Sequence, residues 1–448
     1  MPALSHFAPT RFSWPLSWVG WLLHAVVAAL ALSAAVGDEP PTAATPVATR
    51  TWTQWRGPSR SSVVEGQTWP DTLTEKNLQQ RFRIPLGPSY SGPIVTEDRV
   101  FVTETVDASK EVVRALSRTD GSELWRVEWK GAIIVPFFAM SNGSWIRATP
   151  AFDGTTLYVA GMRDLLVALE ASSGKELWRL DFVKELKSPV PSFGFVSSPL
   201  IVGEHLYVQA GSGFCKVEKG TGKLVWRTLV DDGGMMGSAF SSPVLASIAG
   251  QEQMLVQTRT KLCGVELTAG KELWSLEIPA FRGMNILTPT VIGNSIFTSS
   301  YGGKSLLIEV ARDGEKWTTT ERWNTKQQGY MSSPVVIDGQ IYLHLRNQRF
   351  TCLSVADGAE AFTTKPYGKY WSMIASDKRM LALDEQGDLL LIHATPEKFD
   401  LIASRKISDD ETWAHLAIAP STDSTKPGAY DLFIRELEAL TLYTWSPE

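Results

Sequence analysis

Ala168-Leu-Glu-Ala-Ser-Ser-Gly174-Lys-Glu-Leu-Trp178 places a glycine six positions after a small residue and a tryptophan four positions after that glycine. The same arrangement returns five more times with small variations. Its glycines stand at positions 121, 174, 222, 270, 314 and 358, so the intervals are 53, 48, 48, 44 and 44 residues. A repeat of about 40–50 residues that carries strands and no long helices is typical of a β-propeller with one blade per repeat.

Each residue type of the repeat has a physical reason. Glycine adopts the positive φ that a tight strand connection requires. The small residue leaves room for a large ring, and burying a tryptophan removes roughly 150–250 Å² from water. We therefore predict that rings and glycines join adjacent blades. The predicted docking residues are Trp125, Trp178, Trp226, Trp274, Trp317, Gly121, Gly174, Gly222, Gly270, Gly314 and Gly358.

A second mark precedes each predicted inner strand. It is a proline, tolerated at the first residue of a strand because no ladder donor is needed there. The examples are Ser91-Gly-Pro93, Ala148-Thr-Pro150, Ser197-Ser-Pro199, Ser241-Ser-Pro243, Leu287-Thr-Pro289 and Ser332-Ser-Pro334. Together the two marks resemble the repeats of pyrroloquinoline quinone (PQQ) type propellers, whose tryptophan-docking motif is closely matched by Gly174 to Trp178. That superfamily includes quinoprotein dehydrogenases and non-enzymatic BamB-like outer-membrane assembly proteins.

The marks divide the chain into an all-β propeller of four-stranded antiparallel blades. Six blades are predicted at about 91–129, 149–182, 197–230, 241–278, 288–324 and 332–365, and a seventh without the motif at about 371–405. The last unit offers only three strands between Ala414 and Trp445. The segment Leu78 to Ile84 supplies the fourth and closes the ring, which removes exposed sheet edges. Eight blades are therefore predicted, with seven as the alternative.

The N-terminus has the pattern of an export signal. An apolar run from Trp18 to Val36 follows Arg11, and small residues precede a cleavage position after Gly37. We predict a signal peptide at 1–37, a Pro/Thr/Ala linker at 38–51 and the propeller at 52–448, in an exported protein of the periplasm or extracellular space. The alternative is that the apolar run is retained as a membrane anchor. We expect the protein to contact a membrane only in that case.

Composition limits the partners and the chemistry. The net charge of −5 disfavours nucleic acid. The histidines have no metal-ligand spacing, and the three cysteines are expected to be buried thiols.

The propeller sequence begins with Trp52-Thr-Gln-Trp55-Arg56-Gly-Pro58, which resembles the opening of secreted PQQ-repeat propellers. We interpret this segment as a packed cap whose Trp and Arg side chains stack against a blade edge, with a recognition motif as the alternative.

The resemblance also raises a PQQ-dependent dehydrogenase as an alternative function, with PQQ and calcium as cofactors. Such enzymes typically carry adjacent cysteines that form a disulfide ring beside the quinone, and no two cysteines are adjacent here. They are also usually longer, with extra loops that supply active-site acids. We therefore expect no catalytic residues, no metal site and no cofactor.

The loops that lead into the inner strands are rich in aromatic, methionine and arginine residues. Ring geometry should gather them around one mouth of the central channel, where they either pack the channel neck or form a binding funnel. Such apolar loops suit a peptide better than a sugar, so we predict a scaffold for an envelope protein or peptide, with a glycan-binding module as an alternative. The candidate funnel residues are Trp145, Arg147, Phe195, Met236, Arg282, Met284, Tyr330, Trp371 and Trp413.

Overall fold

The structure is a computed structural model that describes residues 50–231 and 237–447. The predicted signal peptide, most of the linker and the candidate Met236 lie outside these residues. Thirty-two strands occur within them, arranged as eight antiparallel sheets of four strands each. The prediction of an eight-bladed all-β propeller is confirmed, and the seven-bladed alternative is wrong.

The blades, numbered I to VIII, follow the chain, and strand β1 (Leu78–Pro85) precedes them. Blades I and II contain β2 (Ile94–Val95), β3 (Arg99–Val106), β4 (Lys110–Ser117), β5 (Glu123–Lys130), β6 (Ala151–Phe152), β7 (Thr156–Gly161), β8 (Leu165–Glu170) and β9 (Glu176–Asp181). Blades III and IV contain β10 (Leu200–Val202), β11 (His205–Ala210), β12 (Gly213–Glu218), β13 (Leu224–Thr228), β14 (Val244–Ile248), β15 (Gln251–Gln257), β16 (Lys261–Val265) and β17 (Glu272–Glu277).

Blades V and VI contain β18 (Thr290–Ile292), β19 (Ser295–Ser299), β20 (Ser305–Asp313), β21 (Lys316–Thr325), β22 (Val335–Ile337), β23 (Gln340–His344), β24 (Phe350–Ser354) and β25 (Glu360–Thr363). Blades VII and VIII contain β26 (Trp371–Ser376), β27 (Arg379–Asp384), β28 (Asp388–His393), β29 (Asp400–Lys406), β30 (Ala417–Pro420), β31 (Tyr430–Arg435) and β32 (Ala439–Trp445). Helical structure in the described residues is limited to α1 (Phe182–Leu186) and two 3-10 turns, Phe137–Asn142 and Phe281–Gly283. No helix in this part of the chain is long and apolar enough to cross a membrane.

The two ends of the propeller sequence meet in blade VIII. Strand β1 pairs antiparallel with β32 from Leu78 opposite Trp445 to Pro85 opposite Ala439, so the sheet order is β1-β32-β31-β30. Trp445 is fully buried, and its Nε1 donates to the carbonyl of Thr72 at 2.8 Å. The inner strand β30 lies beside β2 of blade I. The N-terminal strand therefore closes the ring as predicted.

The repeat motif corresponds to one register in blades I, II, III, IV and VI. Its small residue lies directly opposite the ring across the third and fourth strands, as Ala168 does opposite Trp178, and a β-bulge follows immediately. The ring then reaches the next blade: that of Trp178 covers Gly222, and its Nε1 donates to the carbonyl of Lys219 at 2.9 Å. Glycine is required at this close approach, because a Cβ on Gly222 would lie 2.5 Å from the ring. Trp125 and Trp226 cover Gly174 and Gly270 in the same way.

Blade V departs from the prediction. Strands β20 and β21 continue far beyond the usual turn, so Gly314 lies in an open hairpin where an added Cβ would meet no atom within 4 Å, and Trp317 pairs with Arg312. The docking ring of this blade is Trp323, which lies opposite Leu307, covers Gly358 and donates to the carbonyl of Val355 at 2.8 Å. Spacing alone selected the wrong tryptophan.

Two further predicted docking positions also differ. Trp274 is buried but does not reach Gly314; its Nε1 donates to Gln253 Oε1 of its own blade at 2.7 Å. Gly121 is covered by the side chain of Ile84 from β1 and not by a tryptophan, because the closing strand carries no docking motif.

Cys215, Cys263 and Cys352 are free and buried, and burial raises the pKa of each thiol.

Candidate functional site

A belt of hydroxyl groups surrounds the central channel. At five of the six marking prolines, the preceding residue is a serine or threonine whose hydroxyl accepts a hydrogen bond from a backbone N–H of the preceding blade, which explains why these residues recur there; the sixth, Gly92, only donates. Five such bonds of 2.9–3.3 Å run from blade I to blade VI, with acceptors Thr149, Ser198, Ser242, Thr288 and Ser333. This belt fixes where each connecting loop turns into its inner strand, and it therefore positions the residues above it.

The segment from Trp52 to Ser62, here called the plug, crosses the channel below these loops. Backbone hydrogen bonds tie Trp52 to Val95 of blade I. Arg56 donates to the carbonyl of Pro334 in blade VI at 2.5 Å, and Arg60 donates to the carbonyl of Pro199 in blade III at 2.8 Å. Both guanidinium groups lie over the ring of Trp55, at 5.6 Å from its centroid. The predicted pairing of Trp and Arg occurs, but inside the channel and not at a blade edge.

Above the plug lies a cavity of about 200 Å³. Trp55 contributes to its floor, and its walls come from connecting loops of most blades. Residues 131–144, here called the lid loop, also border it through Val135 and Ala139. The hydroxyl of Tyr90 donates to the carbonyl of Asn142 at 2.7 Å and so ties the lid loop to blade I. The cavity is thus bounded by the plug, the loops and the lid loop.

Five aromatic rings form an arc around the mouth of the channel. Each ring comes from a different blade, and consecutive centroids lie 4.1–5.9 Å apart in the order Tyr301, Tyr330, Tyr370, Trp413 and Tyr90. The guanidinium of Arg147 lies over Tyr90, 5.6 Å from its centroid, and extends the arc to blade II. Ring geometry therefore brings aromatic groups from distant parts of the chain to one mouth.

Only some of the candidate funnel residues meet at the cavity. Arg147, Met284, Tyr330 and Trp413 line it. Trp371 is 3% exposed and borders a smaller adjoining cavity. Its ring stacks on His344 and Phe350, which do not line that cavity.

The other candidates lie elsewhere. Phe195 is buried in a cluster of residues from blades II and III, where its ring contacts that of Phe182. Trp145 packs on the backbone of Gly143, and Arg282 lies on the surface between Phe138 and Phe281. Met236 is outside the described residues. Tyr90, Trp55 and Phe240 line the cavity and were not among the candidate funnel residues; the position of Tyr90 just before Ser91-Gly-Pro93 is the signal that indicates it.

Three arginines lie in or near the two cavities: Arg147 lines both, Arg56 lines the smaller one, and Arg60 belongs to the plug and lines neither. Burial lowers the pKa of Arg56 and of Arg60 to about 9 and that of Arg147 to about 10, so all three stay protonated at neutral pH. Burial, with a contribution from Arg56, lowers the pKa of His415 to about 3, so this histidine is neutral. Neither cavity is lined by aspartate or glutamate.

The donor set does not fit a calcium-held quinone. Calcium takes about six to eight oxygen ligands, with carboxylates prominent among them. The described residues contain no group of three or more His, Cys, Asp or Glu side chains that could hold a metal ion. The residues that line the two cavities instead include apolar residues, serines and threonines, tryptophans and the arginines Arg56 and Arg147.

Comparison with known proteins assigns the repeats. The model of a family described as outer membrane protein assembly factor BamB matches residues 109–364, more than half of the 448 residues. The chain belongs to this family. Curated members similar to it include BamB of Moranella endobia (strain PCIT), 22% identical over 286 residues, and BamB of Yersinia pestis, 22% identical over 263 residues. These matches cover 61% and 54% of the chain and 66% and 62% of the relatives, so the chain spans a little under two thirds of their length.

Solved structures share the fold of this BamB family member. BamB from Moraxella catarrhalis superposes with a TM-score of 0.59 at 14% identity, over 82% of this chain and 99% of that one. Quinohemoprotein alcohol dehydrogenase from Comamonas testosteroni superposes with a TM-score of 0.62 at 12% identity, over 90% of this chain and 82% of that one. At these identities the likeness shows the PQQ-like propeller fold alone.

Proposed function

We propose that this protein is an exported, non-enzymatic scaffold of the cell envelope that binds extended apolar segments of other envelope proteins. The proposed binding surface is the loop face, which consists of the connecting loops between the outer strand of one blade and the inner strand of the next. The names of its curated relatives, outer membrane protein assembly factors, support an envelope role.

The distribution of exposed apolar side chains carries this proposal. Twelve large apolar residues are exposed among the described residues, and seven of them lie on the loop face. The lid loop alone exposes Phe137 by 84% and Ile134 by 79%. The seven are Ile134, Phe137, Phe138, Met140, Val190, Val230 and Phe281. A concentration of apolar groups on one face is typical of an interaction site, whereas scattered ones need no explanation.

The chemistry of this surface favours a polypeptide over the alternatives. Phe137 and Phe138 pack edge to face at 5.6 Å, and Arg282 lies 5.4 Å from the centroid of Phe138. Aromatic anchors beside arginine are enriched in protein-binding hot spots. A glycan site would need more hydrogen-bonding groups beside the rings. A dehydrogenase of the quinoprotein type would need carboxylates to hold calcium, and neither cavity is lined by any.

A binding measurement tests the proposal. A fluorescently labelled outer-membrane β-barrel polypeptide is diluted from urea into the protein, and its anisotropy is followed. We expect the double variant Phe137→Ser with Met140→Ser to bind about 30-fold more weakly, which corresponds to the roughly 2 kcal/mol of a hot-spot anchor. The matched control is Leu124→Ser with Val225→Ser, whose side chains are 47% and 45% exposed on outer strands. Equal losses for both pairs, or no binding by the wild type, would contradict the proposal.

A further inference from the structure

The interior of the channel contains two adjoining cavities, whose lining residues do not include the seven exposed apolar side chains of the loop face. The cavity above the plug has an apolar half lined by Phe193, Val196, Phe240, Met284 and Ile286. It adjoins a smaller cavity of about 100 Å³, here called the niche, and the two share Trp55, Tyr90, Arg147, Met331, Ser333 and Trp413. The two cavities therefore adjoin each other, one with an apolar lining and the other bordered by arginine and tryptophan.

Two tryptophans that border the niche have indole N–H groups without a hydrogen-bond acceptor among the described residues. Trp371 is 3% exposed and borders the niche, and its Nε1 is buried without a hydrogen-bond partner among the described residues. Trp413 borders both cavities, and its Nε1 is buried and unpartnered in the same sense. Buried donors of this kind are rare in native proteins, because each loses its hydrogen bonds to water without replacement. Two of them around one small space indicate a ligand that accepts hydrogen bonds.

The charge of the niche indicates the sign of that ligand. Arg56 and Arg147 both line it, and among the described residues neither forms an ion pair with a carboxylate. Their hydrogen-bond acceptors are neutral: Arg56 donates to the carbonyl of Pro334 and to Ser62 Oγ, and Arg147 to the carbonyls of Gly143 and Trp145. Buried guanidinium groups are normally paired, because an uncompensated charge in a low dielectric is costly. An anion in the niche would supply the missing charge.

We propose that the channel binds the carboxylate of an apolar ligand, with the carboxylate in the niche between Arg56, Arg147, Trp371 and Trp413 and the apolar body among Phe193, Phe240 and Met284. Arginine suits a planar carboxylate, which it can bind through two parallel hydrogen bonds. The apolar half disfavours inorganic phosphate, which has no apolar body. Two sources supply this chemistry: the C-terminal carboxylate of a polypeptide that ends in an apolar residue, and a free aromatic acid.

Isothermal titration calorimetry of the whole protein tests this proposal with matched ligands. The probes are N-acetyl-phenylalanine and N-acetyl-phenylalaninamide, which have the same body and differ in charge. We expect the acid to bind at least tenfold more tightly than the amide. A ten-residue peptide that ends in phenylalanine, with a free or an amidated C-terminus, is compared with 3-phenylpropanoate. Tighter binding of the free peptide identifies a polypeptide terminus as the source, and tighter binding of 3-phenylpropanoate identifies a free acid.

Three variants separate the site from the scaffold. Arg147→Gln should remove the preference for acid over amide. Trp413→Phe keeps a ring in the aromatic arc and removes only the N–H group, so it should weaken the acid several-fold and leave the amide unchanged. Arg322→Gln, at an exposed position on β21, is the matched control and should change neither. Equal binding of acid and amide, no binding of either, or an equal effect of Arg322→Gln would overturn the proposal. These ligands do not test the apolar loop face, so the two proposals can fail independently.

Discussion

Replacing Gly222 with alanine tests the contact that joins adjacent blades. Gly222 has a φ of +73°, and an added Cβ would lie 2.5 Å from Cε3 of Trp178. The left-handed backbone costs an L-residue roughly 1–2 kcal/mol, and overpacking against the ring adds typically about 1–3 kcal/mol. We therefore expect the free energy of unfolding to fall by about 2–5 kcal/mol. Gly314→Ala is the matched control, because its φ is +59° but no atom lies within 4 Å. It should cost only the backbone part, about 1–2 kcal/mol.

A double-mutant cycle isolates the ring. In a Trp178→Ala background the clash is gone, so Gly222→Ala should cost about 1–2 kcal/mol, the same as Gly314→Ala in the wild type. Equilibrium urea unfolding followed by far-ultraviolet circular dichroism measures all variants without relying on the fluorescence of the removed tryptophan. If Gly222→Ala cost the same with and without Trp178, the ring would not be in contact with the glycine and the docking argument would be refuted.

Three other predictions concern the blade contacts and one buried acid. Trp323→Ala should lower the free energy of unfolding by more than Trp317→Ala, because of these two rings only that of Trp323 covers a glycine of the next blade. Equal losses for the two variants would contradict the assignment of Trp323 as the docking ring of blade V. Deletion of residues up to Ile84 removes β1 and exposes the edge of β32, so light scattering should show aggregation that deletion of residues 1–49 does not cause. Burial raises the pKa of Glu111 from 4.5 to about 7; the unfolded state therefore loses this proton first, and stability should fall between these pH values by on the order of 3 kcal/mol. Glu111→Gln should remove that dependence in melts from about pH 4 to 8.

Local patterns were sufficient to predict the fold. The motif around Gly174 and Trp178 corresponds to a cross-strand pair, a bulge and a tight turn, all of which lie within about a dozen residues of each other. The motif failed in blade V, where the β20–β21 hairpin is long and a glycine at the expected spacing has no docking role. What matters physically is the register opposite the third strand, and there Leu307 faces Trp323.

The candidate site was predicted less completely. Whether a loop residue lines the cavity depends on the direction of its side chain, which the sequence does not reveal. Phe193 lines the cavity and Phe195, two residues later, is buried between blades. Nothing in the local sequence distinguishes them. The positions of Arg56 and Arg60 depend on carbonyls that lie 278 and 139 residues away along the chain, so their place in the channel follows only from the closed ring.

The N-terminal segment joins ring closure to the channel interior. The plug contributes Trp55 and Arg56 to the cavities, and β1, about twenty residues later, completes blade VIII. The cavities therefore form fully only when the ring is closed, because their floor is held by blades I, III and VI at once. A ligand that binds there binds the closed ring and not the open chain, so it must stabilise closure by mass action. In the same way, a variant that weakens the pairing of β1 with β32 should weaken carboxylate binding even though it touches no residue of the niche.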